Sequence, residues 1–322
     1  MTDELSRRDM LKIPLAAATA YGLTHLTSTP AVAADFAKPV PEAAGLAPYQ
    51  NHSQILVRWN NHPLTVYRAH ASQKYPYFYP VNGPVSGLSL TAESCLPYPH
   101  HRGLWLGCDP LNGGNYWSDG PLEQGQIRSV GLKLGEADES TVSFTDRCEW
   151  IRKDAPSPMK DERRFLLTRH QDRLWTIDID FQLTACQDVS VKRAKHSLFA
   201  IRAAADISPS YGGILINSEG GKGAEGTYGK EAKWCGYYGK RASHPDVVEG
   251  ISIMTHPENP WRPVWFTREY GHLSPSPFNF LDTPWTLAEG KSITLKYRVA
   301  LHAGSPQEAD LNAVYRQWID AG

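Results

Sequence analysis

Short runs of apolar residues, separated by turn residues, recur along most of the chain at lengths typical of β-strands. Between residues 174 and 184, apolar positions alternate with polar ones, which predicts a strand with one face in a core and one in water. Residues 55–69 form two such runs around a turn at 60–63, and residues 126–134 and 140–151 flank another turn. The pattern predicts a series of antiparallel hairpins.

Only the end of the chain has helical periodicity. Residues 306–321 place apolar side chains at helical spacing, with Ser305 expected as the N-cap and Glu308 at the capping-box spacing from it. Strands at this density with one C-terminal helix predict an all-β fold, an antiparallel β-sandwich. We expect a single β-sandwich domain over 55–322, preceded over 34–54 by an extended lead-in rich in Pro and Ala.

The N-terminus has the features of an export signal. Arg7 and Arg8 precede a short apolar run, and the small residues at 31–33 fit a cleavage site. Residues 1–33 are therefore predicted to be a Tat signal peptide, and the mature protein is expected in the periplasm or secreted. The apolar run is too short to span a membrane, and no later stretch is long and apolar enough to do so.

Composition excludes some classes of partner. The chain has 33 Lys and Arg against 34 Asp and Glu, so no basic excess supports nucleic-acid binding. Its 15 tyrosines and 10 tryptophans suit either a sugar-binding surface or an aromatic β core. Five cysteines without Cys-x-x-Cys spacing predict neither a zinc knuckle nor a redox pair, and their odd number leaves at least one free thiol. The oligomeric state is not indicated.

The stretch 98–117 concentrates the residues best suited to chemistry. Histidine and arginine supply proton transfer and hydrogen-bond donors, tryptophan supplies a flat apolar wall, and glycine and proline shape the backbone around them. This mixture predicts a pocket for a polar, ring-shaped molecule. The candidates are His100 and His101 for catalysis, and Arg102, Trp105, Asn112 and Trp117 for substrate binding.

Two later stretches add further candidates. A glycine-rich loop at 218–223 lacks the Gly-Lys-Ser/Thr order of a phosphate-binding loop, and no helix is expected after it. It presents Glu219 at the end of a predicted strand, and His256 stands at the end of another. Guanidinium, amide and ring groups nearby suit hydroxyls or a carboxylate. The candidates are Glu219 and His256 for catalysis, and Lys195, Trp234, Asn259, Arg268 and Tyr270 for substrate binding.

Together these stretches resemble one bacterial family, called PmoA-like or DUF6807. The resemblance spans about residues 55–303. The sequence departs from the family pattern at Tyr98, Asp119 and Ser276, and Tyr98 weakens a metal site built on positions 98, 100 and 101. The matching motifs are Pro99-His100-His101-Arg102-Gly103-Leu104-Trp105, Asn112-Gly113, Tyr116-Trp117, Glu219-Gly220, Trp234 with Tyr237 and Gly239, His256-Pro257 with Asn259-Pro260, and Trp265 with Arg268 and Tyr270-Gly271.

The resemblance implies a fold and a general class of ligand. The strand pattern of this family is similar to that of galactose-mutarotase-like supersandwiches, domains that act on or bind sugars. The family often carries the name methane oxygenase PmoA. The methane monooxygenase subunit of similar name is an integral membrane protein, whereas this chain has no predicted span, so we do not follow that name.

Three functions are compatible with these residues. In the first, which we favour, a carbohydrate-active enzyme uses His100 or His101 and His256 for proton transfer, with Glu219 as the partner carboxylate. In the second, the same residues hold a metal ion in an oxygenase or hydrolase. In the third, the protein binds sugar without catalysis. A small-molecule or oligosaccharide ligand is expected in each case, no cofactor is indicated, and the two catalytic functions require these stretches to meet in space.

Overall fold

The computed structural model describes residues 44–321, which form antiparallel strands and two helices. The helices are α1 (Gly223–Thr227) and α2 (Leu311–Asp320). The strands are β1 (Leu46–Asn51), β2 (Gln54–Trp59), β3 (His62–Arg68), β4 (Tyr77–Val81), β5 (Leu104–Asp109), β6 (Gln126–Ser129), β7 (Lys133–Ala137), β8 (Thr141–Arg152), β9 (Ala155–Gln171), β10 (Leu174–Ala185), β11 (Val189–Val191), β12 (His196–Arg202), β13 (Ile214–Asn217), β14 (Trp234–Arg241), β15 (His244–Thr255), β16 (Phe266–Thr267), β17 (His272–Ser274), β18 (Trp285–Leu287) and β19 (Ser292–Ala303). Strand β8 alternates buried with more exposed side chains, whereas β5 and β12 are buried along most of their length.

Most of these strands belong to two large sheets. The eight-stranded sheet has the order β1-β2-β3-β4-β5-β12-β17-β16. The nine-stranded sheet has the order β13-β14-β15-β19-β10-β9-β8-β6, with β7 also paired to β8. Strands β11 and β18 form a separate pair. The predicted all-β, antiparallel fold with a C-terminal helix is confirmed.

The core lies between the two large sheets and is rich in aromatic rings. Phe78 and Phe199 project from the eight-stranded sheet and meet Phe165 and Phe181 from the nine-stranded sheet. The ring centroids of Phe78 and Phe165 are 5.1 Å apart, and those of Phe181 and Phe199 are 5.6 Å apart. All four rings are buried. The apolar area that they remove from water holds the sheets face to face.

A charged pair is enclosed in this core. Arg163 donates two hydrogen bonds to the Asp161 carboxylate, from Nε at 2.7 Å and from Nη2 at 3.2 Å. The Trp150 indole N–H donates to the same carboxylate at 2.6 Å. The side chains of Arg163 and Asp161 are 1% and 0% exposed. Because neither charge reaches water, each depends on the other for its neutralisation.

The C-terminal helix begins later than predicted. Asp310 caps α2 by accepting a hydrogen bond from the Ala313 N–H at 3.1 Å. Ser305 and Glu308 do form the two reciprocal bonds of a capping box, at 2.7 Å and 3.2 Å. These bonds close a turn before the helix, so the motif was correctly recognised but the helix starts at Leu311.

Two further details differ from the sequence interpretation. The predicted lead-in over 34–54 contains β1, which pairs with β2 along its length, so the sheet begins before residue 55. Pro48 is tolerated there because β1 is an edge strand, where a missing N–H costs no ladder bond. The glycine-rich loop is followed by α1, contrary to expectation. The Thr227 hydroxyl closes this short helix by donating to the Gly223 carbonyl at 2.7 Å.

The described residues also bear on the cysteines and on a membrane span. All five cysteines are free thiols. Within residues 44–321 no helix combines the length and hydropathy that crossing a bilayer requires. The predicted signal peptide over 1–33, and the lead-in as far as residue 43, lie outside the described residues.

Candidate active site

The outer face of the eight-stranded sheet, which is the face turned away from the core, carries a polar patch. Side chains alternate along β5 and β12, so that Phe199 enters the core and its neighbours point outward. The register pairs Trp105 with Ala200 and Arg202 with His272. Directly paired residues share a face. Trp105, Arg202 and His272 therefore stand together on the outer face.

A cluster of rings covers this patch. The His101 ring stacks on His272 at 4.6 Å and on Trp105 at 5.3 Å between centroids. The His100 ring lies 4.6 Å from His101. Tyr98 lies above His101 at 5.3 Å. We call this cluster the histidine site and define it by Lys74, Tyr98, His100, His101, Trp105, Asp109, Trp117, Asp119, His196, Arg202, Tyr270 and His272.

Two histidine–aspartate pairs face each other in the histidine site. His100 Nδ1 lies 3.3 Å from Asp119 Oδ2, and His196 Nδ1 lies 3.9 Å from Asp109 Oδ2. The Asp119 carboxylate can only accept, so it favours the His100 tautomer with Nδ1 protonated and leaves Nε2 to act on a ligand. The 3.9 Å between His196 and Asp109 is longer than a hydrogen bond. The centroids of the two imidazole rings are 6.3 Å apart. This spacing places two proton-transfer groups on one small molecule.

Burial keeps several of these histidines neutral. Burial, followed by the charge of Lys195, lowers the pKa of His196 to about 4, although Asp109 opposes this shift. Burial and neighbouring positive groups also lower the pKa of His101 and of His272. Burial lowers the pKa of Lys74, while Asp109 and Asp119 act against the shift. Neutral imidazoles can accept a proton at neutral pH, which is the requirement for a general base.

The histidine site contains an unusual number of polar atoms without partners. Buried side-chain nitrogens are normally hydrogen-bonded, because leaving one unpaired costs about 1–3 kcal/mol. Several of these nitrogens are N–H donors that point to no protein acceptor. A ligand rich in acceptors, or ordered water, would satisfy them. The unpartnered atoms are Lys74 Nζ, His100 Nε2, His101 Nδ1, Trp105 Nε1, Trp117 Nε1, Arg202 Nε and Nη1, and His272 Nδ1.

Acid should destabilise the protein through its buried histidines. In His302, which is fully buried, desolvation lowers the pKa to about 4, against about 6.5 in the unfolded chain. The unfolded state therefore binds more protons between these values, and stability falls as the pH drops below 6.5. We expect His302 alone to lower the free energy of unfolding by about 2 kcal/mol between pH 7 and pH 5. Urea unfolding of wild type and His302→Asn at both pH values checks this, since equal losses in the two proteins would contradict it.

The histidine site contains four of the six candidates from stretch 98–117, but not all in the expected role. His100, His101, Trp105 and Trp117 belong to it. The two tryptophans are 1% and 0% exposed. They form the floor of the site, and their faces are covered by histidine rings. Burial and the histidine rings thus leave neither indole a free face in this structure, and the indole N–H groups of both have no hydrogen-bond partner.

The other two candidates from this stretch bond to the protein. Arg102 donates from Nη1 to the Gln73 side chain. Asn112 donates to the Asp188 carbonyl at 2.9 Å and accepts from the Ser190 N–H at 2.9 Å. Both hydrogen-bonding ends of the Asn112 amide are thus used to tie two loops together. The predicted substrate-binding role of Asn112 is replaced by a structural one.

Lys195, Arg268 and Tyr270 lie at or beside the histidine site. Lys195 is exposed next to His196 and affects its pKa. The Tyr270 ring stacks obliquely on Tyr98 at 5.1 Å. Arg268 places its guanidinium over the Phe266 ring at 4.1 Å and donates to the Thr267 carbonyl at 3.0 Å. Of these three predicted binding residues, Tyr270 is the one within the cluster.

Glu219 and Trp234 lie elsewhere, beside the start of α2. Glu219 is exposed and accepts a hydrogen bond from the Ser218 hydroxyl at 2.8 Å. Trp234 is buried beneath α2 and donates its indole N–H to the Asn312 side chain at 2.9 Å. Trp234 therefore anchors the C-terminal helix, and its predicted role in stacking on a sugar is wrong for this structure.

His256 and Asn259 lie on the outer face of the nine-stranded sheet. His256 packs edge-on against Trp318 of α2 at 5.1 Å and borders a groove of about 640 Å³. The charged groups of this groove are largely paired, as in the Asp178–Arg298 contact at 2.5 Å. Asn259 donates to the Lys296 carbonyl at 2.9 Å and accepts from its N–H at 2.7 Å. Asn259 fixes the end of β19, and its predicted contact with substrate is replaced by this bond pair.

The expected meeting of His101, Glu219 and His256 does not occur in this structure. His101 lies on the outer face of the eight-stranded sheet, whereas His256 lies on the outer face of the nine-stranded sheet, with the core between them. Among residues 44–321 no hydrogen bond, ion pair or ring contact joins either histidine to Glu219. The three motifs belong to different surfaces because His101 precedes β5, Glu219 follows β13 and His256 follows β15, in different parts of the sandwich.

Sequence reasoning proposed five members of the histidine site and missed the other seven, which are Lys74, Tyr98, Asp109, Asp119, His196, Arg202 and His272. His196 and Arg202 open and close the otherwise apolar strand β12 on the same face, which is a signal that period-two alternation could have shown. His272 joins them only through the β12–β17 register. Lys74 precedes β4 and does not belong to any motif recognised in the sequence.

The described residues do not provide a ligand set for the metal-dependent alternative. Within residues 44–321 no three His, Cys, Asp or Glu side chains are arranged to hold a metal ion. The His101 and His272 rings lie nearly parallel, with 25° between their planes. Stacked rings direct their nitrogens side by side instead of toward one shared point. The geometry thus favours proton transfer or binding by these histidines.

Comparison with known families now gives the chain its class. The model of DUF6807, a family of unknown function, matches residues 54–316. The chain belongs to this family. A search of curated proteins found no match.

Two solved structures show a distant likeness. A putative kojibiose phosphorylase from the human microbiome has a TM-score of 0.33 and 9% sequence identity; the match covers 87% of this chain and 36% of the phosphorylase. A galactose mutarotase related enzyme from Lactobacillus acidophilus has a TM-score of 0.31 and 9% identity, with 80% and 97% covered. The chain thus spans about a third of the phosphorylase. At these TM-scores the likeness decides nothing about function, which has to be argued from the site.

Proposed function

We propose that the protein is a carbohydrate-active enzyme that transfers protons on a polyhydroxylated substrate at the histidine site. The observation that carries this proposal is the facing arrangement of His100 with Asp119 and His196 with Asp109, with the two rings 6.3 Å apart. One such pair orients a histidine for acid–base work, and two on one substrate allow a proton to be taken and another given. The reactions that need this are epimerisation and elimination.

The roles of the two histidines follow from their surroundings. His196, whose low pKa keeps it neutral at neutral pH, is available to accept a proton. His100 is partly exposed, with 14% of its side chain accessible, and its Nε2 has no protein partner. In this proposal the unpartnered Nε2 of His100 returns the proton, and the more exposed His196, with 29% of its side chain accessible, takes it. The proposal retains His100 and His101 from the sequence interpretation and omits Glu219 and His256.

The rest of the site supplies groups for hydroxyls. Lys74 Nζ and the indole N–H groups of Trp105 and Trp117 are donors without partners. Asp109 and Asp119 supply acceptors beside them. A sugar hydroxyl both donates and accepts, so it suits a surface that alternates donors with carboxylates. This set of groups favours a polyol over an apolar substrate such as methane.

The proposal is tested by deuterium exchange. The full chain is incubated in D2O with a panel of aldoses, uronic acids and their glycosides, and proton NMR follows each substrate. Loss of one carbon-bound proton signal, or appearance of an epimer or unsaturated product, is expected for at least one substrate. Binding of a sugar without exchange or product would instead identify a non-catalytic sugar-binding module and would overturn the enzymatic proposal. Absence of both binding and exchange would overturn it as well.

A further inference from the structure

Arg202 is a buried cation for which the described residues provide no counter-charge. Its side chain lies on the outer face of the eight-stranded sheet, and the residue is 6% exposed. Among residues 44–321 no Asp or Glu forms an ion pair with it. Its Nε and Nη1 atoms are buried without a hydrogen-bond partner. A buried charge is costly unless it is paired, so an arginine in this state requires an explanation.

Two other buried arginines, Arg163 and Arg241, show what a charge-paired structural role looks like in this fold. Arg163 makes two bonds to Asp161. Arg241 bonds to both Asp206 and Glu249, at 2.9 Å and 3.1 Å. Arg202 instead has only the face of Tyr270, 4.6 Å from its guanidinium carbon. Arg169 also lacks an ion pair, but it lies over the Trp59 ring at 5.1 Å, donates to the Asp172 carbonyl at 2.6 Å and stands outside the histidine site. Arg202 is the buried arginine without a counter-charge that belongs to the histidine site.

We propose that Arg202 binds the carboxylate of the substrate, which makes the substrate a sugar acid. This inference rests on the proposed function and names its substrate class. The guanidinium fork matches a carboxylate in shape and provides two parallel N–H donors for it. His101 and His272, which flank Arg202, are neutral and add no charge. Arg202 therefore supplies a single positive charge at its end of the site, which matches the single negative charge of a carboxylate.

The charges across the site orient such a substrate. Arg202 forms the positive end, next to His101 and His272. Asp109 and Asp119 form the opposite end, beside His196 and His100. A sugar acid with its carboxylate on Arg202 would direct its hydroxyls toward the two aspartates, at the His196 end of β12.

Two tyrosines separate Arg202 from solvent. Tyr270 covers the guanidinium, and Tyr98 packs on Tyr270 and on His101. Tyr98 is 38% exposed, at the end of a segment in which Leu96 is 84% exposed. A ligand reaching Arg202 must therefore contact or displace Tyr98.

The experiment compares binding of charged and neutral sugars. Thermal unfolding of the full chain is measured with sodium D-galacturonate and D-glucuronate, and with D-galactose and D-glucose at the same concentrations and ionic strength. Wild type is expected to gain Tm with at least one uronate and less or none with its neutral counterpart. Arg202→Met should abolish the gain, and Arg202→Lys should retain part of it. No gain with either uronate, an equal gain with the neutral sugar, or an undiminished gain in Arg202→Met overturns the proposal.

A matched variant separates binding from stability. Arg163→Met removes a buried arginine that has a partner, and it should lower the Tm of the unliganded protein by roughly 10 °C. Arg202→Met removes an unpaired charge, so its unliganded Tm should be unchanged or higher. An equal loss in both variants would make Arg202 structural and overturn the proposal. If the protein exchanges deuterium into a neutral sugar but binds no uronate, the role of Arg202 in binding a carboxylate is rejected. The proposed proton transfer at the histidine site is then still supported.

Discussion

Turnover falls by about 10²–10⁴-fold when His100 is replaced by Asn, and the fold is retained. Asparagine keeps an amide that can donate toward Asp119 and removes the Nε2 atom, which has no partner in the protein. The loss should therefore appear in the chemical step more than in binding. It is measured as kcat and KM on the substrate identified by deuterium exchange, with circular dichroism to check the fold.

The matched control for this variant is Glu219→Gln. Glu219 is exposed and contacts only Ser218 through its side chain among the described residues, so its turnover should equal that of wild type. Full activity in His100→Asn would contradict the role of the histidine pair. Loss of activity in Glu219→Gln with His100→Asn unaffected would restore the arrangement that the sequence motifs first suggested.

The free energy of unfolding falls by about 3–5 kcal/mol when Asp161 is replaced by Ala. The change leaves the Arg163 guanidinium buried in the core, with one long contact at 3.5 Å to the Pro76 carbonyl. It also removes the acceptor of the Trp150 indole N–H. Urea unfolding at pH 7 measures the loss as a lower transition midpoint with an unchanged slope.

The next residue along β9 supplies the control. Glu162 points to the opposite face of the strand and pairs with Arg164 at 2.9 Å, with side chains 38% and 61% exposed. An exposed pair of this kind contributes about 0–1 kcal/mol, so Glu162→Ala should unfold close to wild type. Similar losses in the two variants would show that burial of the Asp161–Arg163 pair has no special effect on stability.

The fold was largely predictable because its signal is local. Alternation along β10 and turn residues at hairpin ends determine which segments become strands, and both can be seen within a dozen residues. The start of α2 was predicted too early because Ser305 and Asp310, five residues apart, can both cap a helix. Only packing determines which of the two residues begins it. Strand β1 was missed because Pro48 interrupts its pattern.

The candidate site was only half predictable, because its other half depends on register. His100, His101 and Trp105 share a short stretch of sequence, so composition alone drew attention to them. Arg202 and His272 stand 70 residues apart and meet through the pairing of β12 with β17. The number of residues between two positions does not show how their strands pair. The same reason explains the error over Glu219 and His256, whose strand ends look alike in sequence but belong to different faces of the sandwich.

The measurement that tests the central claim most directly is a crystal structure of the protein soaked with the substrate found by deuterium exchange. The account predicts the sugar ring at the histidine site, with a carbon-bound hydrogen directed at His196 or His100 and hydroxyls on Asp109 and Asp119. A sugar bound instead in the groove between His256 and Trp318, with the histidine site untouched, would contradict the account and move the active site to the other sheet.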